Sequence, residues 1–241
     1  MKKLLTIICI LSLFSCTNTP QPPVGILSSE GFAAFTTPRS FDNPGTVYRI
    51  NENGKRFKVT EIQVPIENGM EELPKLSSLQ TMSLGQLLQS IGASSDKLSA
   101  SIKLNLSRTK SILLEANTGK RFTTRDDDVD NAFIAWAATA KPKDNSRYFI
   151  IRETVATKQL NYKVQSDWLN ELKLDTDALE LAGYEGNASV NGQDILEMNR
   201  EFSDYRNVWY KAEEVTLNKV LGAGPSQYEV NRTPVSSIPE T

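Results

Sequence analysis

The clearest regularities along this chain are its apolar stripes. Leu84, Leu87, Leu88 and Ile91 fall at i, i+3, i+4 and i+7, one face of a helix that Ser83 opens and Gly92 closes. Val129, Phe133, Trp136, Ala137 and Ala140 make a second helical stripe, capped by Thr124 or Asp126 and closed by Pro142. Ser166 starts another helix bearing Trp168, Leu169 and Leu172, and Asp175 opens a short turn to Ala182.

Elsewhere the period drops to two. Thr46 to Ile50 is β-branched and aromatic, between the turn Asp42-Asn43-Pro44-Gly45 and the tight turn at Asn53-Gly54. Phe57 and Val59 then lie on one phase, and Ile62, Val64 and Ile66 on the other. This predicts a β-hairpin over residues 46–66, with a bulge or a break where the phase changes. Ile102, Leu104 and Leu106 alternate with Lys103 and Asn105, and Lys110 to Ala116 continues, so residues 100–122 read as paired strands. Tyr148 to Val155 and Leu160 to Val164 read as two further strands, and Tyr205 to Leu217 as a return to the sheet. Residues 67–75, with Gly69 and Pro74, read as loop, as does the glycine- and asparagine-bearing stretch 183–193. The connections between strand pairs are too short for parallel crossovers. The fold class expected is therefore α+β: a single globular domain over residues 31–221, with an antiparallel-rich sheet and about three helices. Residues 222–241, carrying Gly224, Pro225, Pro234 and Pro239, read as a loosely ordered tail.

Composition narrows the chemistry. The 241 residues include no histidine and two cysteines, Cys9 and Cys16. Histidine-based triads and His-bound zinc are thereby excluded. An enzyme here would rely on carboxylates, a Ser-Lys pair, tyrosine or a cofactor. With 27 basic and 29 acidic side chains, charge is nearly balanced. No basic stripe suggests nucleic acid.

The N-terminus is more specific. Met1-Lys2-Lys3 precedes an apolar run from Leu4 to Phe14, too short for the roughly 20 residues of a spanning helix and suited to a secretory signal. The run ends Leu13-Phe14-Ser15-Cys16, which resembles the lipobox of bacterial lipoproteins. Phe14 stands where a small or β-branched residue is more usual. The resemblance covers residues 1–16. It implies a signal peptide over residues 1–15, cleavage after Ser15, a diacylglyceryl thioether on Cys16, and acylation of the new amino group by a fatty acid such as palmitate. Two or three chains make a firm anchor, because each buried methylene contributes about 0.8 kcal/mol. Residues 16–30, with Pro20, Pro22 and Pro23, would then be a semi-rigid tether. Cleavage leaves 25 basic and 29 acidic side chains and no free thiol. Thr17, with no aspartate at that position, favours the outer membrane where the organism has one.

Candidate sites are fewer. Asp126, Asp128 and Asp130 match the first three ligand positions of an EF-hand loop, but Asn131 and Ala137 replace its glycine and its bidentate glutamate. An acid-rich helix start explains the run better. Asp175, Asp177, Asn187, Asn191 and Asp194 offer oxygens without a full spacing. Trp136, Trp168 and Trp209 could form a sugar platform, although Trp136 and Trp168 lie on apolar helix faces. Ser94-x-x-Lys97 and Ser107-x-x-Lys110 lack the companion motifs of Ser-Lys hydrolases. No dinucleotide or P-loop motif points to a cofactor. The expectation is a lipid-anchored cell-envelope protein with a non-enzymatic binding or structural domain, whose partner is an envelope protein or a glycan. The alternatives are an anchored enzyme, carbohydrate-active or otherwise His-independent and carboxylate-based, and a β-rich domain that assembles on the bilayer.

Overall fold

The computed structural model describes residues 26–140, 147–165, 167, 170–171, 174–191, 195–219 and 228–239. The expected signal with Ser15, and Cys16, Pro142, Ser166, Trp168, Leu169, Leu172 and Asp194, lie outside them. Strand dominates, and every described strand pairing is antiparallel. The strands are β1 (Ala33–Arg39), β2 (Thr46–Ile50), β3 (Arg56–Glu61), β4 (Ile66–Ser83), β5 (Thr109–Thr124), β6 (Arg147–Gln165), β7 (Ala188–Val190), β8 (Ile195–Lys219) and β9 (Tyr228–Val235). Five α-helices accompany them among the described residues: α1 (Ile26–Ser29), α2 (Leu84–Ile91), α3 (Ala100–Lys103), α4 (Asp126–Ala140) and α5 (Thr176–Leu181).

The spine is β6 against β8. One edge of β6 takes β2 and then β5, and β5 carries β4. The free edge of β8 takes β7, β1 and β9 in turn. The sheet curls around its main core, because side chains three strands apart meet across it. Trp209 of β8, fully buried, donates its indole N–H to Ser78 Oγ of β4 at 2.6 Å. α2 lies inside this curl. A capping box of Ser83 and Gln86 starts it, Gly92 in the left-handed region ends it, and Leu84, Leu87, Leu88 and Ile91 are buried. Ser28 of α1 accepts from Leu79 N–H and so covers part of the outer edge of β4.

Near the start of β6 both faces are covered. Tyr148 and Ile150 pack with Val129 and Phe133 of α4, while Phe149 and Ile151 pack with Phe35, Tyr210 and Ile238. Two-sided burial explains the unbroken apolar run Tyr148-Phe149-Ile150-Ile151.

Several expectations change. The two strands expected over 148–155 and 160–164 are one, β6. Bulges between Ile151 and Glu153, Val155 and Ala156, and Thr157 and Gln159 reset its phase. The expected loop 67–75 belongs to β4, whose edge position and bulge between Asn68 and Glu72 accommodate Gly69 and Pro74. The alternation at Ile102, Leu104 and Leu106 is not a strand. It is α3 and the turn after it, with Ile102 buried and Leu104 84% exposed. Ile26 to Ser29, expected in the tether, form α1 with Leu27 buried. Residues 228–235, expected in the loose tail, form β9, and Ile238 beyond it is buried. The turn and pairing of β2 and β3 are as read from sequence, but β3 ends at Glu61 and Ile66 begins β4; α4 is as read in its stripe, but Thr124 ends β5 and Asp126 is already the first helical residue; Asp175 caps α5 as read.

Candidate functional site

The acidic run begins α4, with Asp126, Asp127 and Asp128 in its first turn. There the helix dipole favours anions. Two of the sequence-predicted ligands, Asp126 and Asp130, are brought to the sheet. Asp126 pairs with Arg152 of β6, whose side chain is 7% exposed, and lies 3.3 Å from Arg232 of β9. Asp130 lies 3.2 Å from Arg232 Nε, an ion pair without hydrogen-bond geometry. Glu213 of β8 joins both arginines, at 3.6 Å from Arg152 and 3.3 Å from Arg232. Burial pushes the Asp130 carboxyl up, against the pull of Arg232 and Arg152. Asp128 is not part of this network among the described ion pairs. The two arginines supply the positive charge that a cation would bring, and the network fastens α4 across β6, β8 and β9. Sequence reasoning missed the arginine partners, because Arg152 and Arg232 are distant in the chain.

Of the three candidate tryptophans Trp136 and Trp209 are described, and these two do not form a platform. Trp209 is wholly inside the core. Trp136 packs at 5.2 Å from Phe133 and 5.6 Å from Tyr148, ring centre to ring centre, under α4. Ser94 accepts from Asp96 N–H as the cap of a short 3-10 turn, Ser95–Lys97.

The largest of the described cavities is a polar cleft of about 570 Å³. It lies between the end of α2 (Ile91, Gly92), the loop 183–187 and Asn199 to Glu201 of β8. The loop is drawn against β8 by Tyr184, whose hydroxyl donates to the carbonyl oxygens of Asn199 at 2.8 Å and Asn187 at 3.1 Å. Gly186 is required beneath it: a Cβ there would stand 2.2 Å from Asn199 O and 2.4 Å from Tyr184 Oη. On the other wall Arg200 donates to Ser90 O at the end of α2. Ser90 Oγ in turn lies 2.5 Å from Tyr162 Oη, whose pKa burial raises. The cleft thus offers amide, carboxylate and guanidinium groups on a braced frame. Asn187 alone of the sequence candidates lines it. Asp130, with its raised carboxyl, lines none of the described cavities.

No family model and no curated protein matches the chain. Its fold is similar to that of a solved bacterial gasdermin from Bradyrhizobium tropiciagri. The TM-score is 0.50 at 14% identity, over 86% of this chain and 88% of that one. The likeness is one of fold, and it fits a single mostly-sheet domain with some helices. Among the described residues no helix is long and apolar enough to cross a membrane.

Proposed function

We propose that the protein is a lipid-anchored component of a bacterial envelope, held by Cys16, whose sheet domain works by binding an envelope protein or glycan. The observation that supports binding is the polar cleft beside Tyr184. Its hydrogen-bonding groups face a space the size of a small-molecule site, within the usual 300–1,000 Å³ range. The carboxylates of the α4 network are engaged with arginines, which suits fastening better than proton transfer.

Two comparisons test this reading. Membranes from the native host carrying wild type or Cys16→Ala are fractionated, and wild type should be retained while the variant is released. Cross-linking and pull-down are then run with wild type and Asn187→Trp, which fills the cleft. A partner captured by wild type and lost with Asn187→Trp supports cleft binding. Equal capture by both, or equal membrane retention of Cys16→Ala, refutes the corresponding half.

A second reading, action of the domain on the bilayer itself, is favoured by the strand lengths. β4, β5, β6 and β8 run for 18, 16, 19 and 25 residues. A bilayer-spanning strand needs about 9–11. Stretches of them alternate: Ile112, Leu114 and Ala116 face the core and Ser111, Glu115 and Asn117 do not, as do Leu160, Tyr162 and Val164 against Gln159, Asn161 and Lys163. That is the apolar-polar pattern of membrane strands. Their apolar side is covered by α2 here, so the helices would have to move. The likeness of fold to a bacterial gasdermin belongs with this reading. Dye release from phosphatidylethanolamine–phosphatidylglycerol vesicles tests it. Vesicles that bind the protein fully and retain their dye refute it.

A further inference from the structure

The sheet ends at β3, which pairs with β2 and with no other described strand, so its outer edge leaves a row of backbone N–H and C=O groups without ladder partners among the described residues. The hairpin that carries this edge is basic. Residues 49–58 hold four cations, Arg49, Lys55, Arg56 and Lys58, and one acid, Glu52. Lys58 is neutralised by Asp42 at 3.1 Å and Glu61 at 3.5 Å. Arg49 and Lys55 have no carboxylate among the described ion pairs. They share the ring of Phe57 instead, at 5.2 and 5.3 Å from its centre. Arg49 is half-buried, and its Nε is buried without a hydrogen-bond acceptor. Two cations held on one ring repel each other, and a half-buried guanidinium with no counterion is costly.

We infer that this edge receives an extended acidic segment of another polypeptide, added to β3 as a further strand. Strand addition satisfies the free backbone groups, and side chains at alternate positions supply the specificity. Arg49 stands opposite Phe57 in the β2–β3 register, so its guanidinium, the ring and the Lys55 ammonium lie together. Acids two residues apart on the added strand project to that face, where their carboxylates supply the counterions that Arg49 and Lys55 lack. The residues between those acids face the other way, on the side of Lys58. There Phe41, 54% exposed and with Lys58 Nζ 5.1 Å from its ring centre, offers an apolar contact. The partner is therefore a strand that alternates acidic and apolar residues. A lysine near an edge strand also guards against aggregation, and Lys55 alone fits that role. Arg49 does not. It belongs to β2, inside the edge, and a charge that served only to repel other strands would stand in water. The cleft beside Tyr184 is formed by other residues, and this inference does not rest on the proposed function.

The test is fluorescence anisotropy of a labelled short peptide alternating glutamate and valine, titrated with the full chain in detergent. Two control peptides replace glutamate with lysine, or methylate the backbone nitrogens of the glutamate form. The glutamate peptide should bind, more weakly as salt is raised, and neither control should. Arg49→Gln should weaken binding about tenfold, the worth of one charge-assisted hydrogen bond. Lys55→Gln, at an exposed position, should weaken it about threefold. Circular dichroism confirms that each variant is folded, and Lys55→Gln carries the test if Arg49→Gln is not. Hydrogen exchange should slow at the amides of residues 56–61 when the peptide is bound. Equal binding of the methylated peptide reduces the site to charge attraction and overturns strand addition. Displacement by glycerol phosphate at a lower concentration than by unlabelled peptide assigns the patch to a lipid headgroup and overturns the peptide. Absence of binding, or binding unchanged in both variants, overturns the site.

Discussion

If the sheet curls as described, Ser78 and Trp209 are coupled although 131 residues apart in sequence. Both are fully buried, and they join at 2.6 Å. Ser78→Ala removes only a hydroxyl, but it leaves the indole N–H buried without an acceptor. That costs about 1–3 kcal/mol. Trp209→Phe removes the donor and leaves a void beside the ring, costing about 2–4 kcal/mol by analogy with other large-to-small core changes. In the double variant neither orphaned donor nor orphaned hydroxyl remains. Adding Ser78→Ala to Trp209→Phe should therefore cost close to nothing, a coupling of about 1–3 kcal/mol. The assay is urea unfolding of all four forms, followed by far-ultraviolet circular dichroism. Thermal scans add a second readout, since 1 kcal/mol moves Tm by about 2–4 °C in a domain of this size. If Ser78→Ala costs the same in both backgrounds, β4 does not fold over β8 and the described core is wrong.

Gly186→Ala should destabilise the domain by about 1–3 kcal/mol, because its Cβ would overlap the Asn199 carbonyl and the Tyr184 hydroxyl; an unchanged urea midpoint would contradict the loop packing. Ser83→Ala removes the side-chain half of the capping box of α2 and should cost about 1 kcal/mol, measured in the same way. Two carboxyls should respond to pH with opposite signs. The hydrogen bond from Arg147 holds Glu214 below the ordinary glutamate range, so its contribution is present above that range and is lost as pH falls through the depressed value. Burial raises Asp130, so its folded state favours the proton, and its contribution is lost as pH rises through the raised value. The advantage of wild type over Glu214→Gln should shrink on acidification. The balance between wild type and Asp130→Asn should tip toward the variant as pH rises through the raised value. Parallel trends in the two variants would refute the assignment.

Short-range signals were the legible part of the fold. α2 could be read because its stripe and both caps lie within ten consecutive positions, Ser83 to Gly92. The β2–β3 hairpin could be read because Asn53-Gly54 sets its turn locally. β6 and β8 were harder, for a definite reason. A bulge shifts the inward phase by one residue, so Ile151 and Val155 count inward on odd numbers while Leu160, Tyr162 and Val164 count on even ones. A period-two reading sees two strands where the backbone has one. β9 was hidden by Pro234 and by its place at the end of the chain. On an edge strand a proline is tolerated, and the pairing with residues 212–219 of β8 is not written in any local pattern.

The sites follow the same division between local and distant information. The acids at the start of α4 announce a helix N-terminus, and the structure keeps that role. What they meet is decided by β6 and β9, through Arg152 and Arg232, and no local spacing encodes that pairing. The outward row on β5, β6 and β8 is subtler still. Glu115, Asn161 and Asn199 are single polar positions on three alternating strands, where each reads as an ordinary outward residue. They become a group only through register, Glu115 opposite Asn161 and Asn161 opposite Asn199. One residue of slip would turn Asn161 into the core and Tyr162 out of it. The bulges that obscured β6 in the sequence therefore also fix which of its side chains face outward beside Glu115 and Asn199.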